Sequence, residues 1–517
     1  MSKIRVICIL LIFNLLLSGC KKEIKEENFF AKKQPIEISI GYWNIENALS
    51  GRGNDKMLQE LEEKLNIKLI PYDITHDDAR QKVNLWASAS QLPDIVAIDA
   101  IGTPLYYHWI DNKIVKPLPK DLSRWPNLNS YMNSGELYNL KHSDGNYYGI
   151  PRKTYDNTHS IKLSGMDRKI YYRYDLAKKV GITKEPETYD EYRTMIKTIM
   201  EYDPENKNIE GMTVTVPFIL DCFFLSYSVP LAMSDGSGSD FKWIKKNNKY
   251  IPAYFGGNLE AALKLARDMY KEGTIASDVP LAKEQQSIDK FINGSSVALL
   301  GNMMTWEFAR RWNKKYPEMK FEDHVKILPP LQSMDGNYYG SVYKKYWSES
   351  YITTNDPIKQ EAILNLFEYL LKNEEMFRHG YKDEDYISEN GVKIAKPNID
   401  INKKYPITLL ANLVQWNNIH RYLTLTGDPI KDTYYKMDVE YSYKLLNTTL
   451  PKYYEVNVSM RTPTMNNFLI KPAEDLIRVM IGKEDVSKMY EDLMSEYKNK
   501  GLFKMIDEVN ELFINMN

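Results

Sequence analysis

The sequence predicts an α/β protein built as two lobes, and two observations carry that expectation. Residues 36–98 read as strand, helix, strand, helix, strand, the order of a parallel sheet with helical crossovers. The chain is 517 residues long, more than one hydrophobic core usually supports, and its 43% hydrophobic content is enough for two.

The elements follow in order. Ile36, Ile38, Ile40 and Tyr42 alternate with Glu37, Ser39 and Gly41, the period of a half-buried strand. A helix begins near Asp55, with Met57, Leu58, Leu61 and Leu65 on one face and Asn66 as its C-cap. Ile67–Ile70 is the second strand, residues 77–89 a second helix, and Pro93–Ile98 a buried third strand ending at Asp99. Further on, Thr188-Tyr-Asp-Glu191 is a capping box that opens a helix to Tyr202. Asn258 caps a helix stopped by Gly273, and Asp356-Pro357 opens another. Gly482 and Gly501 close two helices near the C-terminus. These residues are scaffold.

The N-terminus reads as an export signal. Lys3 and Arg5 precede an apolar run, Val6 to Leu17, broken only by Asn14 and too short for a membrane span of about 20 residues. Leu17-Ser18-Gly19-Cys20 resembles the lipobox of bacterial lipoproteins, which implies cleavage before Cys20 and lipidation of its sulfur. Residues 1–19 are then the signal peptide and 20–35 a charged tether. The resulting expectation is a protein on the extracellular face of the cell membrane, anchored by lipid.

Composition excludes several classes. A net charge of −1, without a basic stripe, argues against nucleic acid. Of three cysteines, Cys8 leaves with the leader and Cys20 takes lipid; Cys222 alone makes neither a disulfide nor a cysteine metal cluster, and is expected in the core. The seven histidines are scattered without ligand spacing, and no nucleophile-elbow, phosphate-loop or zinc-protease motif occurs. No catalytic residue, cofactor or metal is expected, although a glycosidase carboxylate pair has no sequence signature that would reveal it.

Several local patterns recur in a fixed order. They are Tyr42-Trp43 at the first strand end, Ala87-Ser-Ala-Ser-Gln-Leu-Pro-Asp-Ile95, Asp144-Gly-Asn-Tyr-Tyr-Gly-Ile-Pro151 and Tyr171-Tyr-Arg-Tyr-Asp-Leu176. Lys179-Val-Gly-Ile182 with Pro186-Glu-Thr-Tyr-Asp-Glu191, Tyr270-Lys-Glu-Gly273, Phe291 to Asn302 and the segment 501–510 complete the set. From about residue 36 to 517 the chain resembles the extracellular solute-binding proteins of carbohydrate-type ABC importers, in particular the long lipoprotein subgroup of Gram-positive bacteria. The resemblance implies a type II periplasmic-binding-protein-like fold, each lobe a mostly parallel sheet flanked by helices, joined by a hinge. It implies residues 36–150 plus 340–395 in the N-lobe and 151–339 plus 396–517 in the C-lobe. It also implies a monomer that closes on an oligosaccharide or sugar derivative and delivers it to permease subunits, without chemistry of its own. A peptide receptor, a surface sensor module and an exported glycan-active enzyme are the alternatives.

A sugar offers an apolar C–H face and a rim of hydroxyls, so stacking rings and directional polar groups at strand ends are the candidates. Ligands bind beyond the carboxyl ends of parallel strands. That selects Trp43, Asn44 and Glu46 after the first strand and Asp99 after the third, with Tyr106, Tyr107 and Trp109 beyond it. Arg152, Tyr155 and Asp156 follow the first crossing between lobes, and Tyr343 and Trp347 flank the second. The family resemblance adds Asn302 and Trp306, in the loop that carries a cleft aromatic. For each aromatic the competing role is core packing. Long members of the family often carry a calcium loop after the helix matching 188–202; the corresponding Asp203-Pro-Glu-Asn-Lys-Asn-Ile-Glu210 lacks the central glycine and places Lys207 and Ile209 where oxygens are needed, so a plain loop is expected.

Overall fold

The computed structural model describes residues 34–516, apart from 76–77, 102, 135–139, 143, 154–167, 204–207, 230–242, 340–345, 390–391, 398, 416–428 and 448–461. The leader, Cys20, Tyr155, Asp156 and Tyr343 therefore lie outside the described residues.

The chain first lays down β1 (Ile36–Trp43), β2 (Ile67–Ile74), β3 (Ile95–Ile98) and β4 (Ile150–Lys153). It then builds a second sheet from β5 (Arg168–Arg173) and β6 (Glu210–Val214), with the hairpin β7 (Trp243–Lys246) and β8 (Lys249–Pro252) apart from it, and completes that sheet with β9 (Ser296–Asn302) and β10 (Val325–Ile327). It returns to the first sheet as β11 (Tyr346–Ile352) and adds the hairpin β12 (Tyr386–Glu389) and β13 (Val392–Ala395). The first sheet runs β2-β1-β3-β11-β4 and the second β10-β5-β9-β6.

Both sheets are mixed rather than mostly parallel. β1 pairs β2 and β3 in parallel, and β6 pairs β9 in parallel. β11 runs against both β3 and β4, and β5 runs against both β9 and β10. The reason is topological. A strand delivered from the other lobe enters at the edge where the parallel strands end, so it must run back along them.

Each sheet is covered on both faces, and alternate strand residues divide between the two cores. Ile95 and Ala97 join one core of the first lobe, whereas Val96 and Ile98 join the other with Tyr106, Trp109 and Tyr351. In the second lobe Tyr172, Ala298 and Leu300 point into the large core, and Tyr171 and Leu299 into a smaller one with Phe308, Trp312 and Phe321. Local chemistry fixes the helices as the sequence predicts. Asn66 adopts a left-handed conformation (φ 49°) at the C-cap, and both halves of the Thr188–Glu191 capping box form. Asn258 and Asp356 accept first-turn amides. Among the described residues no helix is long and apolar enough to cross a membrane.

One boundary differs from expectation. Residues 396–415 were assigned by resemblance to the second lobe, yet Tyr405, Ile407, Leu410, Leu413 and Val414 pack into the core of the first. Their 3-10 segment, Pro406–Leu413, lies on the short helix Ile45–Leu49. Only the helices from Pro429 onward join the second lobe, through packing on Thr305–Lys315 and Leu259–Lys271. The chain thus leaves the first lobe after Gln415, and not within the polar region from about Glu389 to Asn402 where a third crossing between lobes is expected from the sequence. Cys222, expected in the core, is half-buried and borders a small cavity of about 70 Å³.

Asp55 is the joint that keeps 406–413 in place. Its buried carboxylate accepts the amides of Met57 (2.9 Å) and Leu58 (3.1 Å) at the helix start, and that of Ile407 (3.0 Å) from 352 residues away. Asp55→Ala removes a cap and strands a buried amide, so it is expected to cost about 2–3 kcal/mol in urea unfolding. A cost near zero would mean that the cap and the tertiary bond are replaceable by water.

Candidate functional site

Two groups of side chains face the junction of the lobes. The first sits on the edge of the first sheet where β1 and β3 end. Trp43 closes β1, Asp99 follows β3, and Arg152 lies near the end of β4. Because β11 is antiparallel, Trp347 enters at this same edge. The Trp43 and Trp347 ring centroids are 5.4 Å apart at 43°, and Tyr42 is 4.7 Å from Trp43. The Arg152 guanidinium lies 4.5 Å from the Trp43 ring, 5.2 Å from Tyr42 and 5.4 Å from Trp347. Such stacking suits a planar, weakly hydrated cation. Arg152 is wholly buried and Trp43 nearly so, whereas Trp347 is half-exposed. Asn44, in a left-handed conformation (φ 66°), and Glu46 are exposed on the helix that follows β1.

Glu349 stands behind this edge and escaped the sequence reading. It pairs in register with Ile98, is completely buried, and accepts at Oε2 the amides of Ala100 (3.1 Å) and Ile101 (3.1 Å) and the Tyr351 hydroxyl (2.6 Å). Burial, then the nearby Asp99 charge, push its carboxyl up to about 7, while those three donors pull it back. Burial likewise lowers the Arg152 guanidinium, against the compensating charges of its neighbours, Glu349 and Asp99 among them.

The second group lines a cavity of about 270 Å³ between the lobes. From the second lobe come Trp306, Lys431 and Tyr435; the first contributes Arg378, Asn412 and Gln415 among others. Trp306 and Tyr435 meet edge to face, 6.4 Å apart at 88°, and the Lys431 ammonium is 4.4 Å from the Trp306 ring. Arg378 donates to Gln415 Oε1 at 2.9 Å. One wall is therefore aromatic, and the other mixes apolar side chains such as Phe377 and Leu409 with polar ones such as Arg378, Asn412 and Gln415, a combination that fits an amphipathic ring. A buried ion pair holds the aromatic wall. Asp438, on the helix Pro429–Asn447, pairs with Lys169 of β5 and accepts both the amide (3.1 Å) and the hydroxyl of Thr305, next to Trp306. The two groups adjoin, since the Asn412 carbonyl accepts from Arg152 while Asn412 also borders the cavity.

Elsewhere, Asn302 ends β9 opposite Arg168. Tyr106 and Trp109 are buried in the core, and Tyr107 is half-buried. In the 203–210 stretch, residues 204–207 lie outside the described residues; Asp203 accepts the Asn208 amide (2.7 Å) and Glu210 pairs with Lys290 (2.6 Å). Among the described residues no group of three or more His, Cys, Asp or Glu is placed to hold a metal ion.

No family model matches the chain. Its sequence is 22% identical over 535 residues, 99% of both chains, to the polygalacturonan/rhamnogalacturonan-binding protein YtcQ of Bacillus subtilis. Among solved structures it is similar to the alginate-binding protein AlgQ2, with a TM-score of 0.69 at 17% identity over 93% of this chain and 98% of that one. It is also similar to the ABC-transporter substrate-binding protein FusA of S. pneumoniae in complex with kestose, with a TM-score of 0.67 at 14% identity over 93% and 99%. A solute-binding protein of Bifidobacterium longum infantis, described as HMO-binding and ABC-transporter associated, gives 0.64 at 15% identity over 92% and 98%. These likenesses establish the fold as the two-lobed one of periplasmic-type solute-binding proteins.

The raised Glu349 carboxyl has a measurable consequence. An exposed glutamate titrates near 4.5, so the folded chain binds this proton more tightly than the unfolded one. The stability it contributes is full below about pH 4.5 and is lost as pH rises through about 7. Glu349→Gln is expected to flatten that part of a melting-temperature profile taken from about pH 4 to 8. A profile with the wild-type slope would remove Glu349 as its source.

Proposed function

We propose that this protein is the extracellular receptor of an ABC importer, which captures an oligosaccharide or sugar derivative between its lobes and passes it, unaltered, to permease subunits in the membrane. The observation that carries this reading is the interlobe cavity, with the Trp306–Tyr435 wall from one lobe facing amide and guanidinium groups from the other. A pyranose would lay its C–H face on the ring and direct its hydroxyls to Asn412, Gln415 and Arg378. A contact drawn from both lobes rewards closure, because the ligand binds fully only when the walls meet. The glycan-binding names of YtcQ, AlgQ2 and FusA support the same class of ligand.

Within this reading Trp306 and Trp347 are the stacking rings, with Asp99 a hydroxyl acceptor at the sheet edge. Trp43 and Arg152 back Trp347 from the buried side. Asn44 and Glu46, exposed beside Trp43, are further candidates, as are Asn302 at the end of β9 and, by their place in the sequence, Tyr155, Asp156 and Tyr343. The protein acts as a monomer and without metal.

Thermal-shift screening against neutral and acidic oligosaccharides and against peptides tests the ligand class, with mass spectrometry of the recovered ligand. Stabilisation by oligosaccharides recovered at unchanged mass is expected. Stabilisation by peptides alone, or a cleaved glycan, would overturn the proposal. For an oligosaccharide that binds, Trp306→Ala is expected to weaken affinity about tenfold or more by calorimetry, with the fold retained by circular dichroism. Undiminished affinity would take Trp306 out of the site.

Anchoring through Cys20 is part of the proposal, and two acyl chains on its diacylglyceryl group would hold the protein durably. Cys20→Ser is expected to move the protein from the membrane fraction to the medium, and continued membrane association would exclude a lipid anchor at that residue.

A further inference from the structure

Three segments run between the lobes. β4 ends at Lys153 and pairing resumes at Arg168; β10 ends at Ile327 and the first sheet resumes at Tyr346; the 3-10 segment ends at Leu413 and the next helix starts at Pro429. The first-lobe roots of all three meet on one side chain. Arg152 belongs to the first root. Its Nη2 donates to Ser348 Oγ in the second, and its Nη1 to the Asn412 carbonyl (3.2 Å) in the third.

The backbone is shaped around this contact. Between Tyr346 and Glu349, β11 carries one more residue than β4 carries between Lys153 and Pro151, a bulge that lies opposite Arg152. Within it Ser348 has φ 59°, a left-handed conformation that is unfavourable for a non-glycine residue. Two neighbours repeat the bridging. The Tyr131 hydroxyl accepts the Lys153 amide (3.0 Å) and lies 2.6 Å from the Pro151 carbonyl and 2.5 Å from that of Val414. Ser350 Oγ donates to the Leu413 carbonyl (2.6 Å). A guanidinium suits the central place, because its rigid fork sends separate donors in fixed directions, which an ammonium on a flexible stem does not.

We propose that Arg152 is a positioning residue, a clasp that holds the three interlobe segments in register with one another and with the Trp43–Trp347 rings stacked on it. The lobes then swing about one shared root instead of three independent ones. The rings that face the groove and the strands that carry the motion press on the same buried group, so a ligand settling on Trp347 acts directly on the hinge. The clasp itself does not depend on what the ligand is.

Hydrogen exchange of the full chain without ligand tests it, so the result stands apart from the sugar-binding reading. Arg152→Lys and Ser348→Ala are each expected to speed exchange about tenfold, together, in segments 150–153, 346–350 and 411–415. The helix Lys56–Leu65 and strand β9 should keep wild-type rates. Acceleration confined to the mutated segment, spread evenly over the whole lobe, or absent would overturn the clasp. If Arg152→Lys does not fold, Ser348→Ala, which removes a single hydroxyl, decides the matter alone.

Discussion

Two lobes, each a sheet packed between cores on both faces, have to share a chain that passes between them three times. That constraint shapes most of what is distinctive in this molecule. Strands delivered from the other lobe enter at the edge where the parallel strands finish, which makes both sheets mixed and crowds the crossing points onto the rim. Backbone groups at such a rim have no ladder partner beyond them, and buried polar groups must be satisfied. Tyr131, Arg152 and Ser350 meet that need with side-chain bonds that also tie one crossing to the next.

Charge at the rim is balanced rather than absent. A buried guanidinium would be costly alone. Aromatic faces surround it, and the nearby carboxyls of Glu349 and Asp99 offset part of the cost of its burial. The second lobe does the same at Lys169 and Asp438, where a desolvated pair fixes the helix that carries Lys431 and Tyr435 against the first turn of the helix Thr305–Lys315, which carries Trp306. In both lobes the side chains that face the junction rest on a fully buried, ion-based support, an arrangement that restricts rotamers and keeps a binding surface preformed.

How much of this the sequence carried depends on the range of the forces involved. The elements from Ile36 to Ile98 and the helix caps at Asp55, Thr188, Asn258 and Asp356 follow from periodicity and from hydrogen bonds within a few residues. The meeting of Trp43, Asp99, Arg152 and Trp347 at one edge was within reach, because strand ends and crossings were the places searched. Glu349 was not, since its two amide donors lie about 250 residues earlier and reach it only through the pairing of β11 with β3. Ser348 gave no sign of its left-handed backbone, as a glycine would have done. The 3-10 segment Pro406–Leu413 follows the polar region from about Glu389 to Asn402, which reads as a boundary; its burial depends on Asp55 and the helix Ile45–Leu49, far earlier in the chain. The pairing of Trp306 with Tyr435 depends on how the helix Pro429–Asn447 lies against Thr305–Lys315, which a lobe assignment alone does not specify.

The interleaving of the lobes also governs the order in which they can mature. A chain emerging N-terminus first exposes β1, β2 and β3 long before β11 arrives to cover the open side of β3, and the core beneath them stays unsealed until Val414. The second lobe waits longer still, for Phe468, Leu476 and Val509. Neither half can therefore finish folding before most of the polypeptide has emerged, so apolar surface and unpaired strand edges stay accessible throughout synthesis or translocation. A chain cut before Val414 would leave both lobes open, whereas one cut beyond it would leave only the second lobe unfinished.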